Sequence, residues 1–181
     1  MNSFFSEKSK IEQAKISPKA FEKLYLAYMP KVYAYIASRT NNIQEAEDLT
    51  SEVWLKILKK IDNFNTRHEN SFSAWIFTIT KHHLIDYYRK NNNSPIPCID
   101  LEKTLSNSFN MDQKLDNTLL EKKFKEILLT LPSKQAESIR LKYFGGLRNK
   151  EIATILGISE KTVASNLTRA LDKIRQSNFL Q

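Results

Sequence analysis

The sequence has few of the residues that crosslink a fold or break helices: one cysteine, three glycines and five prolines among 181 residues. With Cys98 alone, the chain can form neither an internal disulfide nor a zinc cluster of cysteines. No run approaches the roughly 20 apolar residues that span a bilayer. The first twenty residues are polar and carry several lysines, which is unlike a secretory signal. These absences predict a soluble protein of the cytoplasm.

The scarcity of glycine and the spacing of apolar residues together predict a helical protein. Glycine occurs only at positions 145, 146 and 157, and elsewhere apolar residues recur every three or four positions, which is the period of a helix. Pro30 lies within the first such stripe and predicts a kink or a break there. Three stripes precede residue 90 and are interpreted as surfaces that face a core: Phe21, Leu24, Tyr25, Tyr28, Val32 and Ile36; Ala46, Leu49, Val53, Ile57 and Ile61; Phe72, Trp75, Ile76, Ile79 and His83.

Charge is unevenly distributed along the chain, whose net charge of +8 suggests a polyanionic partner. Residues 1–90 hold 14 basic and 10 acidic residues, residues 119–181 hold 12 and 6, and residues 91–118 hold 2 and 4. The middle stretch also has three successive asparagines and two prolines, which is typical of a linker. We therefore predict an all-α protein in which a disordered segment (1–19) precedes a first domain (20–90), an acidic linker (91–118) and a second, four-helix domain (119–181).

The second domain contains the most informative stretch, residues 149–163, with the sequence NKEIATILGISEKTV. Two predicted helices precede it. The first ends at Pro132, and the second begins with Ser133 as its cap and ends at the glycine pair. Within the stretch, Ala153 is small enough for two helices to cross closely, and Gly157 allows a sharp turn. Ile158 fills the corner, and Ser159 can cap the next helix. This order of residues predicts a helix-turn-helix.

The second helix of this motif has an outward face suited to DNA. Val163, Leu167 and Leu171 point inward at helical spacing, which leaves a polar face of threonine, serine, asparagine, arginine and lysine. Such side chains can contact base edges and phosphates. The predicted DNA-reading residues are Lys161, Thr162, Ser165, Asn166, Arg169 and Lys173.

The sequence offers little support for an enzyme. His82 and His83 are adjacent, so on a helix they point about 100° apart and cannot converge on one metal. His68 stands beside Glu69 without a third candidate ligand. No phosphate-binding glycine loop, nucleophile elbow or zinc motif is present. We expect no catalytic activity, no cofactor, no metal and no small-molecule substrate.

Several segments, in order, resemble the extracytoplasmic-function (ECF) branch of the sigma-70 family of transcription initiation factors. In the first domain the resemblance lies in residues 46–54 (AEDLTSEVW), 72–76 (FSAWI) and 85–90 (IDYYRK). In the second domain it lies in Leu131-Pro132 and in residues 151–175. The resemblance implies a protein that binds core RNA polymerase, recognises the −10 and −35 promoter elements and helps to melt DNA.

The resemblance also implies partners and sites. The first domain would dock on the clamp helices of the largest polymerase subunit through Asp48, Leu49, Glu52, Val53 and Trp54, with Trp54 as an exposed aromatic anchor. The second domain would sit at the flap region and read the −35 element. The linker would thread the polymerase channels or serve as a tether, and an anti-sigma factor would hold the protein inactive.

For the −10 element, the resemblance implies that a base is extruded beside the polar loop 64–71, which costs a few kcal/mol of stacking. The following helix would supply phosphate or base contacts. The residues predicted for this role are Asn65, Arg67, His68, Asn70, Lys81, His82, Arg89 and Lys90.

The chain departs from the family pattern in its second domain. Arg148 stands where a small hydroxyl residue is common, so Asn149 is predicted to cap the helix one residue late. Ala164 and Asn166 stand where basic residues are frequent, which leaves fewer phosphate contacts. The alternative from the residues alone is a stand-alone helix-turn-helix regulator that does not join polymerase.

Overall fold

The computed structural model describes residues 2–40, 42–65, 71–91 and 115–177, and these residues form helices without any strand. The all-α prediction is confirmed. No helix in the described part of the chain is long and apolar enough to cross a membrane. The helices are α1 (Asn2–Ile16), α2 (Pro18–Ala37), α3 (Ile43–Lys60), α4 (Phe72–Asn91), α5 (Leu115–Thr130), α6 (Ser133–Tyr143), α7 (Asn149–Leu156) and α8 (Glu160–Gln176), with a 3-10 turn at Ile61–Asn63.

Helix α1 corrects the expectation that residues 1–19 are disordered. Ile11 and Ala14, three residues apart, are buried in the core that α1 shares with α2. Lys15 Nζ donates to the carbonyl of Phe64 at 2.9 Å, and Tyr28 Oη donates to Glu7 at 2.8 Å. The segment carries too few apolar residues to predict a stable helix by itself, so its order comes from packing on α2.

Helix α2 runs without interruption through Pro30, so the predicted break is absent. Its first residue is Pro18, where the missing N–H costs nothing, and Ser17 Oγ accepts a hydrogen bond from Ala20 N at 3.4 Å. The aromatic rings of α2 pack against those of α3 and α4, with Tyr25 and Trp54 only 4.8 Å apart between centroids. The first domain is thus α1–α4 around one aromatic core.

Polar residues fix where the next two helices of the first domain begin. Asn42 Oδ1 accepts from Glu45 N at 2.7 Å at the start of α3, and Ser71 Oγ accepts from Ala74 N at 3.1 Å at the start of α4. Both contacts satisfy amide groups that a helix start leaves unpaired.

The second domain consists of α5–α8 and differs from the predicted boundaries at two helix starts. Helix α5 begins at Leu115, four residues before the predicted limit. Helix α6 begins at Ser133 with Pro132 in the cap position, and Ser133 forms no capping hydrogen bond. The glycine pair has the predicted role, because Gly146 adopts a φ of 65° just after α6.

The two domains are in direct contact. Helix α7 packs against α4, and α6 meets the end of α2 through Glu137, which pairs with Arg39 and Tyr35. Lys125 Nζ also donates to the carbonyl of Thr40 at 3.4 Å. No pattern in the sequence predicted this interface.

The docking of α1 is testable with a pair of isoleucines on the same helix. Ile11 is 3% exposed and Ile16 is 86% exposed. We expect Ile11→Ala to lower the free energy of unfolding by about 2–4 kcal/mol, as for other buried isoleucines. Ile16→Ala should change it by less than about 0.5 kcal/mol. Urea denaturation followed by circular dichroism measures both, and equal effects would show that α1 does not dock.

Candidate nucleic-acid interface

The helix-turn-helix has the geometry that its sequence predicts. Gly157 ends α7 with a φ of 64°, and the amide of Ile158 donates to the carbonyl of Ala153 at 3.1 Å. Ser159 Oγ then accepts from Thr162 N at 3.0 Å and so caps α8. Ile152 and Val163 are fully buried where the two helices meet. The turn is therefore fixed by one left-handed glycine and one side-chain cap.

The start of α7 differs from the prediction. The helix begins at Asn149 with Arg148 in the cap position, so Asn149 is not the cap. The side-chain oxygen of Asn149 instead accepts a hydrogen bond from Lys142 Nζ at 3.1 Å. The backbone amide of Arg148 donates to Glu151 Oε2 at 2.7 Å. The Glu151 carboxylate thus supplies the half of a capping box that satisfies the amide of the cap residue.

Helix α8 presents most of its predicted DNA-reading residues to solvent. Five of the six are exposed on the side away from the core, namely Lys161, Thr162, Ser165, Arg169 and Lys173. Asn166 is only partly exposed, and its side-chain nitrogen is buried. The face combines cationic ends with short hydroxyls, which allows phosphate and base-edge contacts at once.

Helix α3 divides its predicted polymerase-binding residues between the core and the surface. Asp48 and Glu52 are exposed, whereas Leu49, Val53 and Trp54 are buried. The expectation that Trp54 is an exposed anchor is wrong, because its side chain is 6% exposed and packs edge-on against Phe21 and Tyr25. The three apolar residues instead hold α3 in register on α2, which points the acids outward.

Two exposed leucines on α3 were not predicted. Leu55 and Leu58 are 57% and 50% exposed. Leu55 follows Glu52 by three residues and so lies on the same outward face as Asp48 and Glu52. Leu58 lies on the flank of that face. The signal was present in the sequence, since neither leucine fits the spacing of the core stripe.

His83 connects α4 to the outward face of α3. Its ring is 6% exposed, with Nδ1 2.7 Å from Lys56 Nζ and Nε2 2.9 Å from Glu52 Oε2. Since an ammonium group only donates, Nδ1 accepts from Lys56, and in the neutral ring the proton is on Nε2, the nitrogen nearest to Glu52. Burial, and next the Lys56 ammonium, lower the pKa of His83 more than Glu52 and Asp86 raise it. Neutral His83 therefore orients a carboxylate of the candidate surface.

The residues predicted to read the −10 element are only partly placed. Arg67, His68 and Asn70 lie outside the described residues, and Asn65 is exposed at the edge of this gap. On α4, the side chains of His82, Arg89 and Lys90 are exposed. Lys81 instead donates from Nζ to the carbonyl of Ile155 in the second domain, at 3.2 Å.

The described residues contain no group of three or more histidine, cysteine, aspartate or glutamate side chains that could hold a metal ion.

Two family models match the chain in the order of its domains. A model described as Sigma-70 region 2 matches residues 24–94, and one described as Sigma-70, region 4 matches residues 121–174. The sigma factor SigZ of Bacillus subtilis is 30% identical over 157 residues, which cover 86% of this chain and 85% of that relative. The chain belongs to the sigma-70 family, in its ECF branch.

Other relatives extend over most of both proteins. The ECF sigma factor SigW of Bacillus subtilis is 28% identical over 186 residues, covering 93% of this chain and 95% of the relative. Sigma factors bind RNA polymerase and promoter DNA and are not enzymes. The region 2 match, which covers the first domain, disfavours the stand-alone regulator.

Solved structures share the fold across nearly the whole chain. The protein CnrH, in complex with the cytosolic domain of CnrY, has a TM-score of 0.71 at 20% identity, and the match covers 94% of this chain and 95% of that chain. The sigma factor RpoE, in complex with the anti-sigma factor NepR from Bartonella quintana, has a TM-score of 0.64 at 23% identity and covers 90% and 99%.

The pKa of His83 gives a pH prediction with a matched control next to it. A histidine whose pKa is lower in the fold than the ordinary value near 6.5 takes up its proton more readily when unfolded, so stability falls as pH drops through that window. We expect His83→Gln to reduce the loss of unfolding free energy between about pH 7.5 and 5.5. His82→Gln, at an exposed position, should keep the wild-type slope. Urea titrations at both pH values test this, and an unchanged slope in His83→Gln contradicts the assignment.

Proposed function

We propose that the two domains divide promoter recognition, with α1–α4 joining core polymerase and reading the −10 element, and α8 reading the −35 element. The observation that carries the proposal is a pair of surfaces of opposite charge: an acidic and apolar face on α3, and a cationic face on α8. One suits a protein partner and the other suits DNA.

The proposed polymerase-binding surface is the outward face of α3, formed by Asp48, Glu52 and Leu55, with Leu58 at its flank. Exposed leucines beside fixed charges are typical of a docking site, because apolar area gives affinity and charge gives register. His83 lies beside this face, with Nε2 2.9 Å from Glu52 Oε2 and Nδ1 2.7 Å from Lys56 Nζ. Leu49, Val53 and Trp54 contribute by positioning this face rather than by contact.

The proposed −10 surface begins at the end of the 3-10 turn and continues along α4. Asn65 leads into the loop and His82, Arg89 and Lys90 line the exposed part of the helix. Arg89 lies 3.8 Å from Asp86, but both are well exposed, so this weak pair leaves the guanidinium accessible to a phosphate. Arg67, His68 and Asn70 stay part of the proposal as residues of the intervening loop.

The proposed −35 surface is the outward face of α8. Arg169 and Lys173 follow one another by one helical turn, at the spacing that tracks a DNA backbone, and Thr162 and Ser165 stand closer to the start of the helix. Since the partly buried Asn166 and the small Ala164 add no charge, we propose that α8 binds duplex DNA weakly without polymerase.

Four further proposals follow from the family. Because the solved relative RpoE is in complex with an anti-sigma factor, we propose that a protein of that class restrains this chain. We also propose that the protein acts in the cytoplasm, where polymerase and promoter DNA are located. The flap region of polymerase is the proposed contact of the second domain, and the linker is proposed to thread its channels.

Reconstitution with core polymerase tests the proposed surface on α3. We expect the double variant Asp48→Arg, Glu52→Arg to weaken association with core by at least about tenfold, since it reverses both charges of the face. Glu47→Arg is the matched control, because Glu47 is exposed on α3 about 100° around the helix from Asp48. Fluorescence anisotropy of the labelled factor with core gives the Kd.

Three results of this experiment have distinct meanings. If wild type neither joins core nor directs promoter-dependent initiation, the proposed function is wrong. If it then binds a palindromic duplex alone, the stand-alone regulator is right. If the double variant and the Glu47→Arg control weaken association equally, the surface on α3 is misassigned while the function stands.

A lysine pair tests the −35 surface. Lys173→Ala removes one proposed phosphate contact, whereas Lys134→Ala removes an exposed lysine on α6. We expect Lys173→Ala to weaken holoenzyme binding to duplex promoter DNA and to reduce the slope of log K against log salt by about one. Lys134→Ala should leave both unchanged. A footprint series across salt concentrations measures this, and matching slopes for the two variants would remove Lys173 from the surface.

A further inference from the structure

One residue at the centre of the outward face of α8 was not predicted to read DNA. Val163, Leu167 and Ala170 form the buried row of this helix. Because two residues turn a helix by about 200°, the row displaced by two positions lies opposite the core. All four members of that row are exposed: Lys161, Ser165, Thr168 and Asp172. Thr168 therefore lies on the midline of the proposed −35 surface.

A hydrogen bond determines which chemical group Thr168 presents. Its Oγ1 donates to the carbonyl of Ala164, one turn earlier in α8, at 3.1 Å. A threonine that bonds back in this way uses the only hydrogen of its hydroxyl within the helix. Since Thr168 is exposed, its γ-methyl group and the lone pairs of its oxygen are the parts that a partner can contact.

Ala164 leaves the methyl group of Thr168 uncovered. Side chains of a helix lean toward its amino end, so Thr168 leans over the position one turn before it. That position holds Ala164, which is exposed and has only a methyl group as its side chain. The two residues together form a small apolar area on a face that is otherwise polar.

Cations border this apolar area. Lys161, one turn before Ala164, and Arg169, next to Thr168, are both exposed on α8. Long cationic side chains reach phosphates at the edges of a groove, whereas short side chains between them come close to the base edges. In the major groove, the apolar group that a base offers is the 5-methyl group of thymine. Threonine and alanine methyl groups are suited to contact it.

We propose that Thr168, with Ala164 beside it, reads the 5-methyl group of a thymine in the major groove of the −35 element. The proposal rests on the proposed function, because it requires that α8 enters that groove. Adenine, guanine and cytosine lack a methyl group at this edge and would not make the contact. Thr168 is thereby a further specificity-determining residue of the second domain.

Deoxyuridine tests the proposal, because it lacks the methyl group of thymidine and keeps the same base pairing. Holoenzyme assembled from the full chain and core polymerase first selects a promoter from random duplexes, and footprinting locates its −35 segment. That segment is then synthesised with either thymidine or deoxyuridine throughout. We expect wild-type holoenzyme to bind the thymidine form about fourfold more tightly, which is the contribution of one buried methyl group.

Two substitutions separate the methyl group of Thr168 from its hydroxyl. Thr168→Ser removes the methyl group and should abolish the preference for thymidine, whereas Thr168→Val keeps a methyl group and should retain it. Thr154→Ser is the matched control, because Thr154 is exposed on α7 and donates to the carbonyl of Lys150 at the same distance of 3.1 Å. This control should keep the fourfold preference. Circular dichroism checks that each variant is folded.

The outcomes separate this inference from the proposed function. Equal binding of both duplexes by wild-type holoenzyme, or an unchanged preference in Thr168→Ser, overturns the reading of thymine by Thr168. Loss of the preference in Thr168→Val also overturns it, because the hydroxyl would then be the reading group. In these cases the holoenzyme still binds its promoter and the proposed function stands. Failure to bind core, or to protect a −35 segment, refutes the proposed function and this inference with it.

Discussion

The carboxylate of Glu151 makes two contacts at once, one within α7 and one with the start of α4. Its Oε2 accepts the amide of Arg148 and so completes the first turn of α7, while its Oε1 accepts two serine hydroxyls at the start of α4. A helix start that lacks a hydroxyl cap must satisfy its amides in another way. The local solution for the helix-turn-helix is therefore also a contact between domains, and neither can change without the other.

Glu137 extends this constraint to the opposite end of the interface. A buried carboxylate is tolerated when it is paired, and here Glu137 of the second domain pairs with Arg39 and Tyr35 of the first. The interface combines these polar contacts with apolar packing, because the buried core includes residues of both domains and the ring of Phe77 lies against Gly145.

Much of the fold could be predicted from the sequence because its determinants are local. Apolar spacing predicted the core faces of α2, α3 and α4, and Gly157 and Ser159 predicted the turn before α8. The order of α1 and the continuity of α2 through Pro30 could not be predicted, since both depend on packing between segments far apart in the sequence. The contact of Glu151 with Ser71 and Ser73 was hidden for the same reason: it joins residues about 80 positions apart.

Helix α3 shows why the candidate site was harder to predict than the fold. A sequence pattern marks an aromatic residue as important, but it does not show whether its ring packs in the core or lies on the surface. Trp54 was expected outside and is inside, whereas Leu55, the next residue, is outside beside Glu52. In the core, the large ring of Trp54 fills a volume shared with Tyr25. A docking surface instead needs exposed apolar area from which a partner can displace water. Leu55 and Leu58 lie outside the core stripe of α3, and the spacing of that stripe alone therefore could have placed them on the surface.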